Sequence, residues 1–441
     1  MHKKIVIILL ILFLFPYEAE SFLCDSTTDV SVSECEALNI AYESLGIADS
    51  TLNQQIKDDW GDPNHNTVCD TNAGEFGIIC INGILWDLQL MEHELSGTIP
   101  PELADLPTLR SISLGQNKLT GNIPPELATL PNLGVLFLQN NNLTGSIPPE
   151  LGNFSNLLVL ELSGNDLSGG IPPELANISD LQALILSNNP NLGGEIPAEI
   201  GDLHKLTNLY LHNSNISGSI PPELGNLSDL YVLYLYDNNL SGSIPTELGM
   251  LSKLAVLDLS QNNLSGHIPI ELSNLQELNS LYLYSNNLTG PLHLELGLMP
   301  SLQGLVLHDN ELSGTIPPDF GASINLYALG LSNNQLTGSI PSGFGDFSNM
   351  YYLDLANNYL FGQLPDLRGT NVPADTTDYL LLQNNCLEPN SDTDVNKWVY
   401  ERTIPDSAEN GGTGLEAQYP SEDTCLDVYI EFDSIFTGSF E

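Results

Sequence analysis

Leu230 to Pro245 reads LYVLYLYDNNLSGSIP, and most of the chain repeats it. Gly-x-Ile-Pro or a near variant recurs with prolines at 100, 124, 148, 172, 197, 221, 245, 269, 317, 341 and 365. The steps are 24 residues, with one of 25. Between Pro269 and Pro317 the unit persists, with Gly290-Pro291-Leu292-His293 in place of the motif. So fixed a period predicts a solenoid, because no single unit can bury its apolar face alone.

Within the unit, Leu233 and Leu235 alternate with Tyr234 and Tyr236, the period of a short strand with one face buried. Asn238 follows where the chain turns away, and an amide there can satisfy the backbone groups of a buried bend. Asn117, Asn141, Asn165, Asn189, Asn262, Asn286, Asn310, Asn334 and Asn358 hold the same place. His93 and Ser214 depart from it, so the ladder should weaken there. Gly242 permits a bend, Pro245 stops strand pairing, and Pro-Pro-Glu-Leu opens a short helical turn with proline at its first positions. Stacked at ~4.8 Å, thirteen strands make a parallel sheet of roughly 58 Å. The solenoid should run from Ile84 to Asn385.

The pattern L-x-x-L-x-L-x-x-N-x-L-x-G-x-I-P resembles the plant-type leucine-rich repeat. Trp60, Cys69 and Phe76-Gly77-Ile78-Ile79-Cys80 look like the matching N-terminal cap, though the aromatic usual between the cysteines is missing. The resemblance implies an α/β fold: a right-handed solenoid with a long parallel concave sheet and disulfide-bonded caps at both ends. Its relatives include receptor-like kinase ectodomains, polygalacturonase-inhibiting proteins and ice-binding proteins. With neither a kinase nor a membrane span in it, the chain is similar to the soluble members.

The ends and the composition narrow the setting. MHKKIVIILLILFLFPYEAES reads as a signal peptide over residues 1–21, its apolar run too short for a comfortable span. No later stretch reads as a span, because Asn, Gly or Pro interrupts every apolar run. A secreted or cell-surface chain is expected. A cap should occupy residues 22–83, with Ser33 and Glu36 boxing the start of a helix to Gly46, and a C-terminal cap and tail residues 386–441. Cys24, Cys35, Cys69, Cys80, Cys386 and Cys425 suggest disulfides. Local pairing (Cys24–Cys35, Cys69–Cys80, Cys386–Cys425) is expected, although spacing does not decide connectivity. Ten Lys+Arg against 56 Asp+Glu, a net charge of −46, argue against a nucleic-acid or anionic-membrane binder; a basic partner, a divalent cation or a salty environment fits better. No cofactor or metal site is expected.

Enzyme signatures such as a phosphate loop, G-x-S-x-G or H-E-x-x-H do not occur. What the repeat leaves free should carry function. On the concave face, Tyr210, His212, Tyr234, Tyr236, Asp258, Tyr282, Tyr284 and His308 gather in adjacent turns, with Asp237 and Asp309 beside them. Aromatic side chains with a polar tip anchor peptides, and sugars stack on them. They are therefore the candidate site, for an extracellular protein, peptide or carbohydrate ligand. An inhibitor of a secreted cell-wall hydrolase and an ice-binding protein are the rival expectations. Two further columns run along the chain: acids from Glu102 through Glu223 and Glu295 to Asp319, and Ser/Thr flanking the bend glycine. Asn142, Asn239, Asn263 and Asn287 open N-glycosylation sequons.

Overall fold

A computed structural model describes residues 32–46, 77–81, 84–322, 325–372, 380–388, 391–392 and 394–395. The signal peptide and Cys24, Trp60, Cys69 and Cys425 lie outside the described residues, as does most of the C-terminal cap. The expected disulfides therefore each have at least one partner outside them, although Cys386 itself is disulfide-bonded.

The chain winds into stacked turns, each with a short strand on one side and a single helical turn on the other. Fourteen strands form one sheet: Gly77–Ile81 pairs antiparallel with Ile84–Gln89, and every later strand adds in parallel out to Leu380–Leu381. Those are the thirteen parallel strands the repeat count predicts. The antiparallel hairpin at the start was not foreseen.

Side-chain alternation fixes the register. In one turn Leu224, Leu227, Leu230, Leu233, Leu235, Leu240 and Ile244 are all at most 2% exposed. Burying each contributes about 1.5–3 kcal/mol. The same positions in every turn join one core that runs from Ala37 to Leu387. The N-terminal helix, Val32–Ser44, starts before Ser33, so Ser33 stands in its first turn and not at the cap. Leu38, Ala41 and Leu45 belong to the shared core, and the amides of Gly97 and Thr98 bond the carbonyls of Leu45 and Ser44 at its end. The helix end is thus closed by the solenoid's first turn.

The asparagine ladder is present in full detail. Asn262 Nδ2 donates to the carbonyls of Leu235, Leu259 and Ser260, while its Oδ1 accepts from Leu240 N–H. Each amide thereby ties its own turn to the preceding one. At Ser214 a hydroxyl stands in, 3.2 Å from the Leu186 carbonyl and 3.1 Å from that of His212. One O–H cannot serve both as two N–H groups can, so the ladder is thinner there, as expected. The residue before each ladder amide, from Gln116 to Asn384, is left-handed, Asp237 and Asp309 included at φ 55° each. Short polar residues suit that conformation.

Two features differ from the sequence reading. Gly242 (φ 79°), read as a bend, lies inside a second strand, Asn239–Ser243. Such strands build an eight-stranded and a three-stranded parallel sheet. The gap between the two falls where the 25-residue step, Pro172 to Pro197, brings Gly169, Gly170, Gly193 and Gly194 to positive φ. The helical turns are five-residue 3-10 segments such as Pro222–Asn226, except for an α turn at Leu294–Gly297 where the Ile-Pro motif is replaced. Gly225 is needed for the stacking: a Cβ there would stand 2.4 Å from the Glu247 carbonyl of the next turn.

Candidate ligand-binding face

In each turn the strand and the residues just after it present two principal side chains away from the core. In the turn of Val232–Tyr234 these are Tyr234 and Tyr236, with Leu233 and Leu235 buried between them. Parallel register places Tyr210, Tyr234, Asp258 and Tyr282 on successive strands. His212, Tyr236, Ser260, Tyr284 and His308 form the row beside them.

The rings form two groups. Tyr210 stacks on Tyr234 with centroids 4.9 Å apart, and His212 stacks on Tyr236 at 4.3 Å and 12°. Edge contacts of 6.0 Å (His212 to Tyr234) and 5.8 Å (Tyr234 to Tyr236) knit the four together. Farther along, Tyr284 stacks on His308 at 4.6 Å, and His308 Nδ1 meets Asp309 Oδ2 at 2.6 Å. The turn of Asp258 and Ser260 separates the groups. All eight predicted site residues thus lie on one face, seven rings on either side of one acid, Asp258.

Close packing of the rings shows in their protonation. Burial lowers the His212 pKa to about 4, against the opposing charge of Asp237. Its Nδ1 is buried without a hydrogen-bond partner among the described residues. Burial also raises Tyr234 to about 12, helped by Tyr210, Asp258, Tyr236 and Tyr282. Asp258 is pushed up by burial, although the Ser260 amide (3.0 Å) and hydroxyl both donate to its Oδ1. At neutral pH the face therefore offers a neutral imidazole, protonated phenols and a partly desolvated acid.

The tyrosine reading overlooked a neighbouring patch. Val159, Ala183 and Ile185 are buried on this same face against Val135, Phe137, Leu158 and Tyr210. The signal was in the sequence, as a run of apolar residues in the outward columns just before the aromatic ones. Glu161 sits between Phe137 and Ile185 in register, with its pKa raised by burial and its carboxylate bonded to Ser163.

The other columns are more ordinary. Thr120, Ser217, Ser241 and Thr337 donate their hydroxyls to the glycine carbonyl of the preceding turn. The outer partners, such as Ser219 and Ser243, are exposed, but Gly170, Glu195, His267 and Pro291 interrupt that row. Among the described residues no group of three or more His, Cys, Asp or Glu could hold a metal ion, and no helix is long and apolar enough to cross a membrane.

Comparison with known proteins agrees with the repeat. A family profile described as leucine-rich repeat region matches residues 141–356, and a leucine-rich repeat profile matches residues 108–130. No curated protein matches the chain. Among solved structures, the plant peptide hormone receptor RGFR1 in complex with RGF2 is 36% identical at a TM-score of 0.68, covering 72% of this chain and 53% of that one. The Arabidopsis receptor kinase HAESA, in complex with the peptide hormone IDA and the co-receptor SERK1, is 31% identical at 0.65, with 81% and 62% covered. The chain thus spans between half and two thirds of those receptor chains. A plant ice-binding protein is 25% identical at 0.55, with 82% of this chain and 97% of that one covered.

Proposed function

The chain belongs to the plant-type leucine-rich-repeat proteins, and from that premise we propose that it is an extracellular recognition module. Its work is binding and not catalysis: it takes a peptide, or an extended segment of a protein, along the exposed face of the long sheet. The observation that carries this reading is the ring cluster of Tyr210, His212, Tyr234 and Tyr236, four polar-tipped rings held by one another on a rigid sheet. Rings held in place lose little entropy when they bind, which is what makes them effective anchors. Two similar structures, RGFR1 and HAESA, hold peptide hormones, which supports the same class of ligand here. The apolar patch from Val135 to Ile185 lengthens the face that such a ligand would cover. Ice binding has less support, because the hydroxyl row is interrupted and half of it is bonded to glycine carbonyls.

The test is selection from a random heptapeptide display library on the immobilised protein. The wild type should enrich a consensus sequence. Replacing Tyr234, Tyr236 and Tyr282 together by Ala should abolish it while leaving the melting temperature within a few degrees, since all three rings lie outside the core. No consensus on the wild type, or the same consensus on the triple variant, would refute the reading.

A further inference from the structure

The aromatic face has a gap, and the gap holds an acid. Tyr234 and Tyr236 on one strand pack back against Tyr210 and His212. On the far side Tyr284 packs forward against His308, and the Tyr282 hydroxyl reaches to 3.7 Å from the place a Cβ would take on Gly304. Each wall thus packs on a neighbour away from the strand between them, while the Tyr284 hydroxyl also accepts from Gln261 Nε2 (3.4 Å) in the turn that follows that strand. That strand carries Asp258 and then Ser260, two short side chains bonded to each other. Tyr234 and Tyr282 flank Asp258 directly in register, so the strands that bear the walls run roughly 9.6 Å apart, twice the strand spacing.

Three properties of this slot point one way. Its floor is a carboxylate whose Oδ1 is taken by Ser260 and whose Oδ2 accepts no hydrogen bond among the described residues. No Lys, Arg or His of the described residues pairs with it. Its walls are phenol rings, whose faces attract cations within about 6 Å. A planar guanidinium or an ammonium fits midway between such walls, with its charge over Oδ2. The net charge of −46 favours the approach of a basic ligand but does not select a place on it. The slot does.

Resting on the peptide-binding reading above, we propose that Asp258 and the tyrosines on either side form a subsite for one basic side chain, arginine or lysine, of the ligand. Glu161 shows what the subsite needs beyond an acid. It is held by Ser163 in the same way, but Phe137 and Ile185 flank it in register and no tyrosine walls enclose it. The apolar patch there suits an apolar segment, so the ligand should carry its basic residue toward one end and apolar residues toward the other.

The peptide selection tests this at about 0.15 M salt, where the Debye length of about 8 Å suppresses the attraction of the chain as a whole. Wild-type protein should enrich Arg or Lys at one fixed position of the consensus. Asp258→Asn keeps the acceptor for Ser260 but removes the charge. It should erase that preference and weaken a selected peptide about tenfold, the scale of one hydrogen bond to a charged group. Tyr282→Leu should weaken it as well. Glu223→Gln removes the same unit of charge from an exposed site off this face and should change nothing. A consensus with no basic position, or one that Asp258→Asn leaves intact, overturns the subsite while peptide binding stands. A preference that disappears in EDTA overturns it in favour of a metal bridge. No consensus at all overturns both readings.

Discussion

Two stretches of one sheet face, built on the same backbone, carry opposite chemistry. From Phe137 to Ile185 the outward residues of the strands are apolar around one half-buried acid, with Gln139, Ser163 and Ser187 beside them; from Tyr210 to His308 they are aromatic and polar. Beneath them the turns match closely. Asn165 bonds the carbonyls of Leu138, Leu162 and Ser163 and accepts from Leu143 N–H, and Asn262 makes the equivalent four bonds two strands past Tyr210. The repeat separates the residues that hold the turns together from those it leaves free on the outward face.

The strongest way to break that comparison is to attack the ladder on both sides of it. Asn165→Ala and Asn262→Ala each strand a buried amide N–H and up to three carbonyls. At about 1–3 kcal/mol per orphaned buried group, partly relieved by relaxation, each should cost about 3 kcal/mol in denaturant unfolding. Equal losses confirm a common scaffold. A large inequality would mean that the outward residues share in holding the turns together.

Burial penalises the charged form in both stretches, so a base in one and an acid in the other respond to pH with opposite signs. His212 has its folded pKa depressed to about 4, so the unfolded chain takes up the proton first, and stability falls as pH drops from about 6.5 toward 4. His212→Phe keeps the ring stacked on Tyr236 and removes the titration. Its melting advantage over wild type should grow between pH 7 and 5, by about 1 kcal/mol, because a partly exposed ring is screened. Glu161 is the reverse: its raised pKa means that its charge costs stability above that pKa and is relieved below it. Glu161→Gln should therefore stabilise most at pH 7, with the gain shrinking as pH falls. Matching signs in the two variants would show that burial does not govern the charge of both groups.

How much of this could be read in the sequence follows from what the repeat encodes. Leu233, Leu235, Asn238 and Pro245 recur because every turn needs them, so the thirteen parallel strands and the amide ladder were legible. The left-handed residue before each amide was not, although Asp237, Asn333 and Asn357 are the short polar types that tolerate it. Nor was the second sheet, since Gly242 reads as a bend when only its own turn is considered and as a strand when the next turn pairs with it. In the candidate site, the seven rings and Asp258 were legible as columns. Their division into two clusters around Asp258 was not, because the way rings lean depends on neighbours 24 residues away.

The acidic column sets the smallest expected effect and runs beneath both stretches alike. Glu150 and Glu174 lie behind the apolar one, Glu223 and Glu247 behind the aromatic one, all in the first turn of a five-residue 3-10 segment. Two forces compete there. The positive end of a helix favours each acid by about 0.3–1 kcal/mol, less for so short a segment. Two neighbours of like charge about 5–7 Å away oppose it with about 0.6–0.8 kcal/mol each in dilute salt. Repulsion should win narrowly at low ionic strength, so Glu223→Gln should raise the melting temperature slightly in 10 mM salt. At 1 M, where screening acts within about 3 Å, the sign should turn neutral or negative. Glu150→Gln should behave in the same way. If it does not, the two stretches differ in their scaffold as well as in their outward residues. A stabilising effect of calcium on wild type that both variants lose would instead make the column a cation array, with repulsion relieved by binding.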